Sequence, residues 1–167
     1  MHPMKILILN GPNLGVLGRR QPEIYGGEGM DAAFALIRDM LGPSRPGEEA
    51  VELDYFQSNH EGELIDRLEK TRESGPGHAD GIAFNAGAYT HTSLALADCL
   101  AWIDVPCVEV HISNVFARTE DPVRQRSYMA KRCIGVISGF GLASYALAVQ
   151  ALVHHIREQG RSRAVEI

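Results

Sequence analysis

Glu109-Val-His-Ile-Ser-Asn114 places an acid two residues before a histidine at the end of an apolar run. Side chains alternate faces along a strand, so Glu109 and His111 share one face while Val108, Val110 and Ile112 share the other. A carboxylate beside an imidazole can fix its tautomer and strengthen it as a base. Such a pair suits general acid or base chemistry. A purely structural histidine–acid pair would show the same spacing.

Three further segments carry reactive or polar side chains. Arg19-Arg-Gln-Pro-Glu-Ile-Tyr-Gly-Gly27 sets two cations a few residues from Tyr25, between glycines. A tyrosine with pKa near ~10 is a poor base at neutral pH, but an adjacent guanidinium such as Arg20 favours the phenolate. The glycines would let this loop act as a lid; a solvated surface loop is the plainer reading. Asn85-Ala-Gly-Ala-Tyr-Thr-His91-Thr-Ser93 leads hydroxyls and a histidine into a helix start, which suits a polyol or an anion. Asp98 follows two helical turns later on the face of His91. Asn10-Gly-Pro-Asn13 closes an apolar run, and its asparagines could hold a carbonyl, a hydroxyl or a water. Turn chemistry also explains them. This segment has neither the Gly-Lys-Ser/Thr ending of a phosphate loop nor GxGxxG spacing. Beyond His111, Arg118 and Arg124 could meet a carboxylate, although any single arginine is by default a surface residue.

Strands and helices must hold these segments together. Ile6-Leu-Ile-Leu9, Val51-Glu-Leu-Asp-Tyr55, Gly81-Ile-Ala-Phe-Asn85, Cys107–Ile112 and Gly135-Val-Ile137 read as five strands, the second near an edge. Met30, Phe34, Ile37 and Leu41 recur at helical spacing, and Gly42-Pro-Ser-Arg-Pro-Gly47 ends that helix. Ser58-Asn-His-Glu61 has a capping-box pattern ahead of Leu64, Ile65 and Leu68. Residues 92–102 form a third helix with Leu94, Ala97 and Ala101 inward. A long last helix follows Gly139-Phe-Gly141 and carries Leu142, Tyr145, Val149, Leu152 and Ile156. The tail from Gly160 is polar and expected to be loose. Alternating strands and helices predict one α/β domain over residues 1–167, a doubly wound parallel sheet with helices on both faces. Ligands bind such sheets beyond the carboxyl ends of the strands, where Asn10, Asn85 and His111 fall.

Composition narrows the function further. The chain has 167 residues and a formal net charge of −5 with no basic stripe, which argues against nucleic acid as partner. Cys99, Cys107 and Cys133 lack CxxC spacing and read as reduced core filler in a cytoplasmic protein. No apolar run nears the ~20 residues of a membrane span, and the first residues lack a signal-peptide pattern. No His/Cys/Asp/Glu cluster has metal-ligand spacing, and His91 has no HxxxH partner.

Taken together, Asn10–Gly15, Gly18–Gly26, Gln57-Ser-Asn-His-Glu-Gly62, Asn85–Ser93, Glu109–Asn114 and Gly139-Phe-Gly141 resemble the type II 3-dehydroquinate dehydratases, over about Lys5 to His154. The resemblance implies a flavodoxin-like fold, a dodecamer of four trimers and no metal or organic cofactor. It implies loss of water from 3-dehydroquinate to give 3-dehydroshikimate through an enolate, in aromatic biosynthesis or quinate breakdown. By position, Tyr25 matches the base and Arg20 the arginine that activates it. Asn13 matches the residue holding a water against the enolate oxygen, His111 the general acid and Glu109 its orienting acid. Asn85, His91, Ser113 and Arg124 match binders of the ring hydroxyls and carboxylate, with backbone amides at Ile112 and Ser113. Asp98 matches an acid that reaches a neighbouring subunit's site. The Arg118–Tyr128 stretch is longer than the family's arginine loop, which leaves Arg126 as the alternative to Arg124. Two rival readings are a flavodoxin-like nucleotide or flavin module, and a serine hydrolase using Ser113 or Ser138 with His111. Neither serine lies in GxSxG.

Overall fold

The computed structural model describes residues 2–17, 29–44 and 46–165, with side chains up to Gly160. Five strands, β1 (Met4–Asn10), β2 (Val51–Gln57), β3 (Gly81–Asn85), β4 (Cys107–His111) and β5 (Gly135–Ser138), form one sheet in the order β2-β1-β3-β4-β5. All four pairings are parallel. Among the described residues four α-helices connect or flank them: α1 (Met30–Leu41), α2 (Glu61–Arg72), α3 (Leu94–Ile103) and α4 (Ala143–Val165). This is the flavodoxin-like three-layer arrangement that the alternating pattern predicts.

Strand alternation assigns the two cores. Ile6 and Ile8 of β1, with Val108 and Val110 of β4, pack on the side of α1 and α4. Leu7, Leu9, Ile82 and Phe84 face α2 and α3. Both faces of β1 are covered, and its apolar residues from Ile6 to Leu9 are fully buried. Each such side chain contributes roughly 1.5–3 kcal/mol when removed from water. The half-exposed pattern of β2 reflects its edge position.

Register then carries polar side chains to one edge. Asn10 pairs with Asn85, Phe84 with Glu109, and His111 with Ser138. The chain order reverses between β1 and β3, so this edge is the switch point where parallel sheets open a crevice. Gly11 lets the strand exits meet there: a Cβ on it would stand 2.4 Å from the Ala86 carbonyl oxygen.

Three local expectations are corrected. The Ser58 hydroxyl accepts from His60 N–H and pairs with Glu63 rather than Glu61, because the helix starts at Glu61, too late for a capping box on Ser58. On α3 the inward side chains are Leu96, Ala97, Leu100 and Ile103, while Leu94 and Ala101 face outward. Apart from Asp98 that helix is apolar, so spacing alone could not select its face. His91 lies in the 3-10 turn Gly87–His91 and shares no helix with Asp98; Ser93 starts α3 by accepting from Leu96 N–H at 2.9 Å. The last helix, α4, spans Ala143–Val165.

Candidate active site

At the switch point a cleft of about 120 Å³ opens beyond β1, β3 and β4. His111 reaches it from the end of β4. Its Nε2 lies 2.6 Å from Glu109 Oε1, and both side chains are buried. The acceptor is a carboxylate, so Nε2 carries the proton and Nδ1 is the nitrogen left for a ligand. Ser127 Oγ donates to the other Glu109 oxygen at 2.6 Å.

His91 stacks on this pair. The two imidazole rings lie 6.4 Å apart at 15°. His91 Nδ1 donates to the Arg126 carbonyl at 2.6 Å, which leaves Nε2 as an acceptor. Burial holds the His91 pKa below the ordinary histidine value; the Arg126 carbonyl opposes this, and His111, Arg118 and Arg124 add to it. A neutral His91 can accept from a ligand hydroxyl.

Asn85 enters from β3. Its Nδ2 donates to Tyr145 Oη at 2.9 Å and its Oδ1 accepts from Gly87 N–H at 3.2 Å. An amide NH₂ has two protons, so one remains for the cleft that Asn85 borders. Tyr145 Oη in turn donates to Asn10 Oδ1 at 2.8 Å. Burial pushes the Tyr145 pKa up, so the phenol stays neutral and keeps its proton to donate.

Asn13 sits at the cleft rim with a left-handed backbone, φ 67°. Asparagine tolerates that conformation better than most residues. Its N–H donates to Asn59 Oδ1 at 2.9 Å, and Gln57 Nε2 holds the Gly11 carbonyl and Asn59 Oδ1 at 3.2 Å each. The loop is pinned and the Asn13 side chain is left for the cleft.

Beyond β4, Ile112 and Ser113 border the cleft. Arg118 Nη2 donates to Ser113 Oγ at 2.7 Å, and Gln125 Nε2 holds the Arg118 carbonyl at 2.9 Å. Arg124 also borders the cleft. Its ion pair with Asp121, 3.1 Å, is half-exposed and therefore weak, so the guanidinium can exchange it for a ligand. Arg126 instead lines a chamber on the far side of Glu109. The geometry thus selects Arg124 over Arg126 for the cleft.

Of the remaining positions named from the sequence, Tyr25 and Arg20 lie outside the described residues. Asp98 is exposed on α3 and does not border this cleft. Sequence reasoning passed over Ser127 and Tyr145 as site residues; it offered Arg118 as a partner for a carboxylate, and the structure places Arg118 at the cleft, bonded to Ser113. The spacing of Tyr145 marked it as core, which it is, but no sequence signal shows where its hydroxyl points. The hydrolase reading fails on geometry: Ser113 Oγ accepts from Arg118, and Ser138 Oγ donates to the Ser113 carbonyl at 3.0 Å. Among the described residues no group of three or more His, Cys, Asp or Glu could hold a metal ion.

The family model for class II dehydroquinase matches residues 4–153 of the chain. The chain belongs to that family. Curated relatives named 3-dehydroquinate dehydratase include one from Synechococcus sp. (strain CC9605), 48% identical over 92% of this chain and 98% of its own length. Another, from an Exiguobacterium species, is 49% identical over 93% and 99%. The crystal structure of the type II dehydroquinase from Butyrivibrio crossotus superposes with a TM-score of 0.75 at 41% identity, covering 90% of this chain and 97% of that one. The Propionibacterium acnes type II dehydroquinase gives 0.73 at 31% identity. The chain therefore sits in an enzyme family, not among flavin or nucleotide modules.

Proposed function

We propose that this dehydroquinase-family chain is a hydro-lyase that eliminates water from 3-dehydroquinate to give 3-dehydroshikimate. The observation that carries this reading is the Glu109-held His111 at the cleft, faced by acceptors, donors and two cations suited to a hydroxylated carboxylic acid. The elimination needs a base for the proton beside the ketone, stabilisation of the enolate oxygen, and an acid for the departing hydroxyl. Tyr25 is the base and Arg20 favours its phenolate. Asn13 holds a water against the enolate oxygen. With Nε2–H kept on Glu109, the acid is the doubly protonated imidazolium of His111, which gives its Nδ1 proton to the leaving hydroxyl so that water departs. Asn85 and His91 bind ring hydroxyls. Arg124, with Arg118 beside it, meets the carboxylate together with Ser113 and the amides of Ile112 and Ser113.

These are proton transfers between side chains and substrate, so the enzyme works without metal or organic cofactor. Exhaustive chelation should leave the rate unchanged; activity lost and restored by a divalent ion would refute this. The protein assembles as a cytoplasmic dodecamer of four trimers, in which exposed Asp98 serves a neighbour's cleft. Exposed Phe116, Val123, Ile134, Val136 and Phe140 supply apolar surface for such contacts. Light scattering that showed a fully active monomer would overturn the assembly. The decisive experiment is an absorbance assay for the conjugated enone formed from 3-dehydroquinate. Steady growth of the enone signal is expected; no enone at high enzyme concentration would sink the assignment.

A further inference from the structure

Glu109 spends one carboxylate oxygen on His111 and the other on Ser127, whose Oγ stands 2.6 Å from Glu109 Oε2. The same Oγ accepts the backbone N–H of Met129 at 3.1 Å and of Ala130 at 3.0 Å. A serine hydroxyl offers one proton and two lone pairs. Both lone pairs are taken by amides, so the proton is committed to the carboxylate. We propose that Ser127 is a positioning residue for the acid step: Ser127, Glu109 and His111 form one hydrogen-bonded chain that ends at His111 Nδ1 in the cleft. The proposal rests on the reading of His111 as proton donor.

The physical need for a second anchor is geometric. One hydrogen bond leaves a carboxylate free to turn about its own bond, and the imidazole it holds turns with it. Two anchors on different oxygens fix the carboxylate plane and hence the direction of Nδ1. The need is acute here because a chamber of about 170 Å³ lies behind the pair, lined by Glu109, His111 and Ser127 with apolar Val115, Phe116 and Val136. Without the hydroxyl, Glu109 has room to swing into it. The two amides also polarise the hydroxyl, which strengthens its bond to the carboxylate. Thr90 Oγ1, buried on the wall of the same chamber, has no hydrogen-bond partner among the described residues.

Solvent entering the space left by Ser127→Ala could take the place of the hydroxyl, which complicates a simple truncation. The sharper comparison is Ser127→Val against Ser127→Thr, two side chains of one shape that differ in the hydroxyl. Both are compared with the parent in the intact oligomer. The readouts are kcat, KM and the proton resonance of the His111 Nε2–H in histidine-labelled enzyme. Ser127→Val should lower kcat roughly 10- to 100-fold, with KM within about twofold, and should displace the resonance. Ser127→Thr should restore both. Should Ser127→Val not fold, Ser127→Ala is read the same way, with a smaller loss. A folded Ser127→Val with parental kcat overturns the proposal, and so does a Ser127→Thr as impaired as Ser127→Val. His111→Ala is measured alongside. If it turns over at the parental rate, the acid assignment itself has failed, whatever Ser127 does.

Discussion

Tyr145 Oη donates at 2.8 Å to Asn10 Oδ1, a contact between residues 135 positions apart in the chain. The same hydroxyl accepts from Asn85 at 2.9 Å. One phenol thus ties together the ends of β1 and β3, where the cleft opens.

Tyr145→Phe keeps the ring and removes this tie. Asn10 then loses a donor and Asn85 an acceptor, all in a buried setting. Leaving buried polar groups unpaired costs about 1–3 kcal/mol. The urea midpoint should fall accordingly, and kcat/KM should fall with it because Asn85 is no longer oriented. An unchanged midpoint would show that water replaces the hydroxyl.

Glu109 and His111 should act as a unit. Glu109→Ala and His111→Ala should each reduce kcat strongly, and the double variant should be little worse than His111→Ala. Additive losses in kcat would show that the two residues work separately.

Tyr25→Phe separates a base from a lid. The ring remains, so a covering role would survive nearly intact. Loss of the phenol oxygen should cost ~10²–10⁴-fold in kcat if it abstracts the proton, with substrate binding largely kept. Turnover within about tenfold of the parent, or a defect confined to KM, would leave only the lid.

His91 gives a pH signature. Its folded pKa lies below the ordinary value of about 6.5, chiefly through burial. The unfolded chain therefore binds a proton first as pH falls. The contribution of His91 to stability is intact above about 6.5 and is lost as pH drops through the folded value. Urea midpoints measured from about pH 7.5 to 5 should decline less in His91→Asn than in the parent. Parallel curves would exclude His91 as a source of the decline.

Gly11→Ala tests the close approach beneath the cleft. Its Cβ would stand 2.4 Å from Ala86 O and 2.6 Å from Ala86 C, and a backbone cannot step aside as a side chain can. Overpacking of this kind costs about 1–3 kcal/mol or more. Stability and kcat should both fall; a melting temperature equal to the parent's would mean that the loop has slack.

Much of this architecture is legible in the chain itself. Strand and helix periods differ, so the doubly wound sheet and the edge position of β2 follow from spacing. The shared face of Glu109 and His111 follows from the two-residue period of a strand. The family likeness named the polar residues that gather at the strand ends. Tertiary structure decided what depends on partners distant in sequence. Spacing could not say which of Arg124 and Arg126 borders the cleft; the fold sets Arg124 on the cleft wall and Arg126 on the neighbouring chamber. Composition could not orient α3, apolar but for Asp98, whose inward face is set by the core it shares with α2 and the sheet. Nothing local to Ser127 or Tyr145 marks them, because a hydroxyl takes its role from the group it meets. Those meetings are made by register and packing, which bring residues 18 and 135 positions apart within hydrogen-bond reach.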